Sequence, residues 1–124
     1  MTSSLLIPIY TTKGDADAFL QYPYLFNRNG DWIGFVTPMR EVYSVLGDFV
    51  GTLTNDPRII RKRGTSTLRP RLSPPQRPPK IYPPASVPLP RLMGDLSHSV
   101  IDVLQEAPER LHTVDSGDQR QDLD

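Results

Sequence analysis

The chain of 124 residues contains no cysteine, which excludes a disulfide framework, thiolate catalysis and a zinc site built on thiolates. It also has no apolar run that approaches the roughly 20 residues of a membrane-spanning helix. Residues 1–9 lack a basic leader and an apolar stretch of signal-peptide length. We therefore expect a soluble cytoplasmic protein without membrane contact.

Catalytic side chains are scarce as well. The two histidines, His98 and His112, lie in the C-terminal tail, and no hydroxyl is paired with a base in a recognisable arrangement. No acidic residues have the clustered spacing of a calcium loop, and no glycine-rich phosphate loop joins a strand to a helix. The sequence therefore predicts a protein that is not an enzyme, with no metal, no cofactor and no small-molecule substrate.

Acidic residues are absent from residues 58–91, where nine basic residues lie. Residues 1–57 hold six acidic and three basic side chains, whereas residues 92–124 hold eight acidic and two basic ones. A net charge of zero thus hides three blocks of different charge. We expect the blocks to differ in structure as well.

The first half of the chain repeats with a period of 16 to 17 residues. The repeated feature is a glycine–aspartate pair, present as Gly14-Asp15, Gly30-Asp31 and Gly47-Asp48, with Gly64 at the next expected place. An aliphatic residue and a ring precede each pair, and a second apolar stretch follows it. This pattern predicts a β-hairpin whose turn uses the positive φ that glycine adopts without steric cost. We interpret the pairs as structural turns, with the aspartate accepting hydrogen bonds from turn amides.

A single hairpin is marginally stable in water, so the copies must bury their apolar faces on each other. The repeated rings, Tyr10, Phe26 and Tyr43, are therefore predicted to form a shared core. Gly34 and Gly51, in the second strand of their copies, predict a bulge or the close approach of a neighbouring backbone.

The fourth copy keeps only its first half, because Thr65 replaces the aspartate and Pro70 replaces the last apolar residue. The predicted fold is all-β, with a small domain of three to four consecutive β-hairpins over residues 5–66. An extended proline-rich segment and one short C-terminal α-helix follow this domain.

The hairpin pattern resembles that of the bacterial proteins with a four-fold β-flower domain. The resemblance covers about residues 7–66, and the general layout of the tail agrees with it. It is carried by Ile9-Tyr10 with Gly14-Asp15, by the segment from Phe26 to Phe35, and by Tyr43 with the segment from Gly47 to Gly51. The resemblance implies a fold, and it implies no activity and no active-site residues.

Residues 67–92 form a basic segment with nine prolines between Pro70 and Pro90, a composition that favours extended polyproline II structure. Three interpretations stay open: a linker or a strap across the β-domain, a docking peptide with the spacing Pro75-Gln76-Arg77-Pro78, and a surface for nucleic acid or another polyanion. The cations that could bind a polyanion are Arg58, Arg61, Lys62, Arg63, Arg69 and Arg71.

Residues 93–108 are predicted to form a short amphipathic helix, followed by an acidic disordered tail over residues 109–124. The apolar face of this helix comprises Leu96, Val100, Val103 and Leu104. So short a helix needs a partner, which is either its own β-domain or another protein. The leading hypothesis is a protein–protein interaction or self-assembly module, and the alternative is a polyanion binder acting through residues 58–91.

Overall fold

In the computed structural model, the described residues are 6–63, 70–90 and 92–114. They contain one antiparallel sheet of eight strands whose spatial order is the order of the chain. The strands are β1 (Ile7–Tyr10), β2 (Ala16–Gln21), β3 (Tyr24–Asn27), β4 (Trp32–Val36), β5 (Glu41–Ser44), β6 (Phe49–Leu53), β7 (Ile59–Lys62) and β8 (Val100–Asp102). A helix α1 (Val103–Glu106) and a 3-10 helix (Pro108–Arg110) follow β8. The predicted all-β hairpin fold is confirmed.

Three tight turns join β1 to β2, β3 to β4, and β5 to β6 around the repeat glycines. In the second turn, the side-chain oxygen of Asn27 accepts the amides of Asn29 and Asp31 at 2.9 and 3.0 Å. In the third turn, the Ser44 hydroxyl accepts the amide of Asp48 at 3.2 Å. A polar residue three positions before the glycine therefore satisfies the turn amides. The expectation that the aspartate carboxylates accept them was wrong.

The pairing of the two strands within a repeat is irregular, as the glycines of the second strand predicted. The register between β3 and β4 shifts next to the pair formed by Leu25 and Gly34, and the register between β5 and β6 shifts next to Val42 and Gly51. At Gly34, a β-carbon would overlap the backbone carbonyl of Tyr43 on the neighbouring strand. The bulge and the close approach predicted from the sequence are both present.

The fourth hairpin is formed by β7 and β8, with Ile60 opposite Asp102 and Lys62 opposite Val100. Its second strand thus lies beyond the predicted domain end at residue 66, inside the segment predicted as a helix. The helix prediction over residues 93–108 was wrong except for α1. Val100 and Ile101 are β-branched, and the edge of β7 offers them backbone partners that outweigh the helical spacing. Gly64 and Thr65 lie outside the described residues.

The core is built from one position of every repeat. The residues five positions before the repeat glycines are Ile9, Leu25, Val42 and Ile59, and each is 0% exposed. Val103, Leu104 and Leu111 join the same cluster, so the C-terminal segment fills the core that the hairpins share. Leu111 lies in the segment predicted as a disordered tail, and its side chain is buried in this core. Residues 115–124 lie outside the described part of the chain.

The repeated rings are buried, but the prediction that they form the shared core was wrong. That core consists of their aliphatic neighbours, and Phe26 packs in a separate cluster with Trp32 and Val45. Tyr10, Phe26 and Tyr43 are each less than a tenth exposed. The Tyr43 ring stacks on Phe35 with 5.5 Å between centroids and meets the edge of Phe49 at 5.7 Å. Within the described residues, no helix has the length and apolar character that crossing a membrane requires.

Candidate functional site

The proline-rich residues 70–90, which we call the strap, lie across the turns of the first three hairpins. The Leu72 amide donates to the Gly47 carbonyl at 3.0 Å, and the Ile81 amide donates to the Gly30 carbonyl at 3.0 Å. Further along, the Tyr10 hydroxyl donates to the Pro88 carbonyl at 2.8 Å. The strap therefore passes the third, the second and then the first hairpin before the chain returns to β8. The structure thus contains a strap across the β-domain, which is one of the interpretations left open by the sequence.

The strap has the three-residue period of a polyproline II helix. Pro75, Pro78 and Ile81 are half-buried, while Gln76, Arg77, Pro79 and Lys80 between them are exposed. Leu72 and Ile81 are nine residues apart, which equals three turns of such a helix, so both present their amides to the sheet.

Each of two turns also binds a basic side chain of the strap. Arg71 Nε lies 2.9 Å from Asp48 Oδ1, and Lys80 Nζ lies 3.7 Å from Asp31 Oδ1. In both cases the cation directly precedes the residue that donates its amide to the turn glycine. These ion pairs are exposed, so each contributes at most about 1 kcal/mol. The aspartates of the repeat thus bind the strap, a role the sequence pattern did not show.

Glycine is required at these two turns for two reasons. Gly30 and Gly47 have φ of +87° and +89°, which disfavours any residue with a β-carbon. A β-carbon at Gly30 would also overlap the Ile81 carbonyl, and one at Gly47 would overlap the Leu72 carbonyl. At the first turn, Gly14 is approached by the ring of Pro90.

The predicted polyanion-binding cations do not form one surface. Arg58 is buried, pairs with Asp56, and donates through Nη1 to the Thr12 hydroxyl at 3.1 Å. Arg61 Nη1 donates to the carbonyls of Phe49 and Val50 at 3.2 and 3.0 Å.

Two further predicted cations also have intramolecular partners. Arg63 donates to the His98 carbonyl at 3.0 Å and lies 3.8 Å from Glu106, and Arg71 is paired as described above. Lys62 is exposed, and Arg69 lies outside the described residues.

The predicted partner-binding face is not exposed either. Val103 and Leu104 are buried in the core of their own sheet. Val100 lies in β8, and Leu96 is half-buried in the loop before it. These four residues therefore form no amphipathic helix face, because Val103 and Leu104 pack in the core, Val100 belongs to a strand and Leu96 to a loop.

A buried polar link joins the first hairpin to the last strand. Asp102 Oδ2 accepts the amide of Thr12 at 2.6 Å and its hydroxyl at 2.7 Å. The Tyr10 amide donates to the Pro57 carbonyl, in the turn between β6 and β7, at 3.1 Å. The two ends of the sheet are thus connected by side-chain and turn contacts.

A cavity of about 350 Å³ lies beside the second strand of the first hairpin. It is lined by Asp17, Arg28, Ile33, Leu104 and Leu111, among others. Asp17 Oδ1 lies 3.5 Å from Arg28 Nη1, and its side chain keeps 28% of its exposure. Burial raises the pKa of Asp17 against the opposing effect of Arg28, and Asp15 and Asp102 raise it further.

Asp17 was not among the site residues predicted from the sequence. The signal was present in the repeat: three positions after the glycine, the second and third copies have Ile33 and Val50, whereas the first copy has an aspartate. Among the described residues, no group of histidine and acidic side chains is arranged to hold a metal ion.

These features define the class of the protein: a small all-β repeat protein whose hairpin turns are crossed by an extended strap. A family model described as "4-fold beta flower protein" matches residues 7–99. The chain therefore belongs to this family, as the resemblance in the sequence indicated. The match includes the strap and ends just before β8. Searches among curated proteins and among solved structures found no match.

Proposed function

We propose that this β-flower protein is a non-enzymatic module that acts through protein–protein contacts, with the outer side of the strap as its contact surface. The supporting observation is the exposure of large apolar side chains there. Tyr82 is 87% exposed and Leu89 is 91% exposed, and Leu92, just beyond the strap, is exposed over its whole side chain. These three residues lie within eleven positions of the chain, between 82 and 92.

Two properties of the strap favour binding. Its backbone is already held extended by the bonds of Leu72 and Ile81 to the turn glycines, which lowers the conformational entropy lost on association. The outer side also presents Arg77, for which no described residue provides an acidic partner. Tyrosine and arginine are enriched in protein interfaces.

Docking into a groove that reads the spacing of Pro75 and Pro78 has less support. These two prolines are half-buried on the same side of the strap as Ile81, whose amide bonds to Gly30. A proline-reading groove needs that side of the peptide free.

The decisive experiment compares the wild type with the variant Y82S/L89S/L92S by light scattering over a range of concentrations and by affinity capture. We expect the triple variant to lose self-association or the capture of partners, and the variant M39S to behave as wild type. Met39 is a suitable control because it is 78% exposed and lies outside the strap. A wild type that is monomeric throughout, with capture identical to that of the triple variant, would contradict the proposal.

Polyanion binding through residues 58–91 is the alternative. Among the described residues, its support comes from exposed cations such as Lys62 and Arg77, since Arg58, Arg61, Arg63 and Arg71 have internal partners. A titration with single- and double-stranded DNA and RNA at two salt concentrations separates the two functions. Electrostatic binding must weaken as salt rises, and a lack of binding at low salt excludes it. The cytoplasmic location stays a prediction.

A further inference from the structure

The cavity beside Asp17 breaks the symmetry of the repeats. In the second and third hairpins, the position three residues after the glycine is filled by the buried side chains of Ile33 and Val50. In the first hairpin, Asp17 places a carboxylate there, and the space of about 350 Å³ opens beside it. The cavity is largely open to solvent, and its volume is at the lower end of the range for small-ligand sites, about 300 to 1,000 Å³.

The walls of the cavity differ in character. Ile33, Leu104 and Leu111 supply apolar surface from β4, α1 and the segment after the 3-10 helix, and Pro108 adds to it. Asp17 and Arg28 supply the charges. Asn27 and Asn29 complete the polar part of the lining. Apolar surface together with a single partly buried carboxylate suits a molecule that has one charged end and a short apolar body.

The local charge balance favours a cation. Asp15 and Asp102 both act electrostatically on Asp17, so three carboxylates are near the site. The cation that faces Asp17 is Arg28, whose side chain is 73% exposed and whose contact is long, at 3.5 Å. Such an exposed pair is weak and easily exchanged. An anion would meet the repulsion of the same carboxylates, with Arg28 as the cation that lines the cavity.

We propose that the cavity binds an organic ammonium ion on a short unbranched apolar stem. The ammonium group replaces Arg28 at Asp17, and the stem lies against Ile33, Leu104 and Leu111. The ammonium has two natural sources with the same chemistry, a free alkylamine and the side chain of a lysine. This inference does not rest on the function proposed for the strap, because none of the residues involved belongs to it.

The test is a titration of the 15N-labelled full chain with pentylamine, followed by NMR, with pentanol and pentanoate as uncharged and anionic probes of similar length. We expect saturable shifts of the amides of Asp17, Ile33, Leu104 and Leu111 with pentylamine at about millimolar concentration, and no saturation with the other two probes. Nα-acetyl-lysine methylamide, titrated in parallel, distinguishes a lysine side chain from a free amine.

Three variants test whether the ammonium group binds at Asp17. D17N should weaken pentylamine binding at least about tenfold, since the charged partner is lost. R28Q should tighten binding, because Arg28 competes with the ligand for Asp17. D48N removes a carboxylate of the third turn. Asp48 does not line the cavity, so this variant should bind pentylamine as the wild type does.

Three results with the probes and variants described above would overturn the proposal. These are saturation by pentanol as strong as that by pentylamine, equal binding by D17N and the wild type, and loss of binding in R28Q. The variant D17V provides a check on folding, because it places in the first repeat the residue that the third repeat has as Val50. It should give a native amide spectrum and no binding, and binding by D17V would also overturn the proposal.

Discussion

One carboxylate oxygen, Oδ2 of Asp102, accepts both the backbone amide and the hydroxyl of Thr12, ninety positions earlier in the chain. Asp102 is buried, and the same Thr12 hydroxyl accepts a hydrogen bond from Arg58. Two buried charges of opposite sign are therefore connected through one threonine. The other carboxylate oxygen of Asp102 is buried and has no partner among the described residues.

Replacement of Asp102 is expected to be strongly destabilising. D102A leaves the part-buried Thr12 amide without its acceptor and removes the negative charge near Arg58, at a cost of about 3 kcal/mol or more in the free energy of unfolding. T12V, which keeps the amide, should cost about 1 to 3 kcal/mol. Chemical denaturation measures both, and D95A, at an exposed position, is the control. Additive effects in the double variant T12V/D102A would contradict the link.

Alanine at the repeat glycines should release the strap. In G30A and G47A, the β-carbon overlaps a strap carbonyl and the backbone keeps a positive φ, so we expect a loss of about 1 to 3 kcal/mol. G94A is the matched control, since a β-carbon at Gly94 has open space around it. Hydrogen exchange should accelerate at the Ile81 amide in G30A and at the Leu72 amide in G47A. Unchanged protection of these amides would show that the strap does not depend on the glycines.

The ion pairs of the strap should affect its local opening more than the global stability. R71Q and K80Q each remove one exposed pair, so we expect changes below about 1 kcal/mol in the free energy of unfolding. Exchange at Leu72 and Ile81 should nevertheless become faster, and added salt should have the same effect on the wild type. R77Q serves as the control because no described residue pairs with Arg77. Equal acceleration in all three variants would argue against specific pairing with Asp48 and Asp31.

The raised pKa of Asp17 predicts a dependence of stability on pH. Since burial favours the protonated carboxyl in the folded chain, this group stabilises the fold below the pKa of the unfolded chain, and the contribution is lost as pH rises through the folded pKa. D17N has no such group. The free energy of unfolding of D17N relative to wild type should therefore increase as pH rises from below the unfolded pKa of Asp17 to above its raised folded pKa, and then level off. A difference that stays constant over this range would exclude a raised pKa.

The sequence predicted the parts of the fold that rest on local chemistry. The glycine turns, the buried rings and the irregular strands at Gly34 and Gly51 follow from conformational preference and from the apolar pattern within a single repeat. The partner of β7 could not be predicted in this way, because Val100 and Ile101 are separated from it by the strap. The spacing of these residues with Val103 and Leu104 is compatible with a helix as well as with a strand. The open edge of β7 favours the strand.

The candidate site was predictable to a smaller extent. From the sequence, Asp31 and Asp48 are recognisable only as turn residues. Their pairing with Lys80 and Arg71 depends on where the strap crosses the turns. The position of Asp17 was visible in the alignment of the repeats. Its cavity was not, because Leu104 and Leu111 arrive from the far end of the chain.

The strap lies inside the connection of the fourth hairpin, and this has a consequence for how the protein is assembled. The hairpins from β1 to β6 close over short loops, whereas β8 can join β7 only after the intervening chain has passed the other three turns. Loop-closure entropy makes this the slowest pairing, so the C-terminal segment should be added last during folding. Residues 85 and 86 are exposed, so the peptide bond between them could be cleaved. The two fragments would keep the surfaces through which they contact each other in the intact fold. We expect the fragments to stay associated after cleavage and to reconstitute the fold when mixed, as a split protein would.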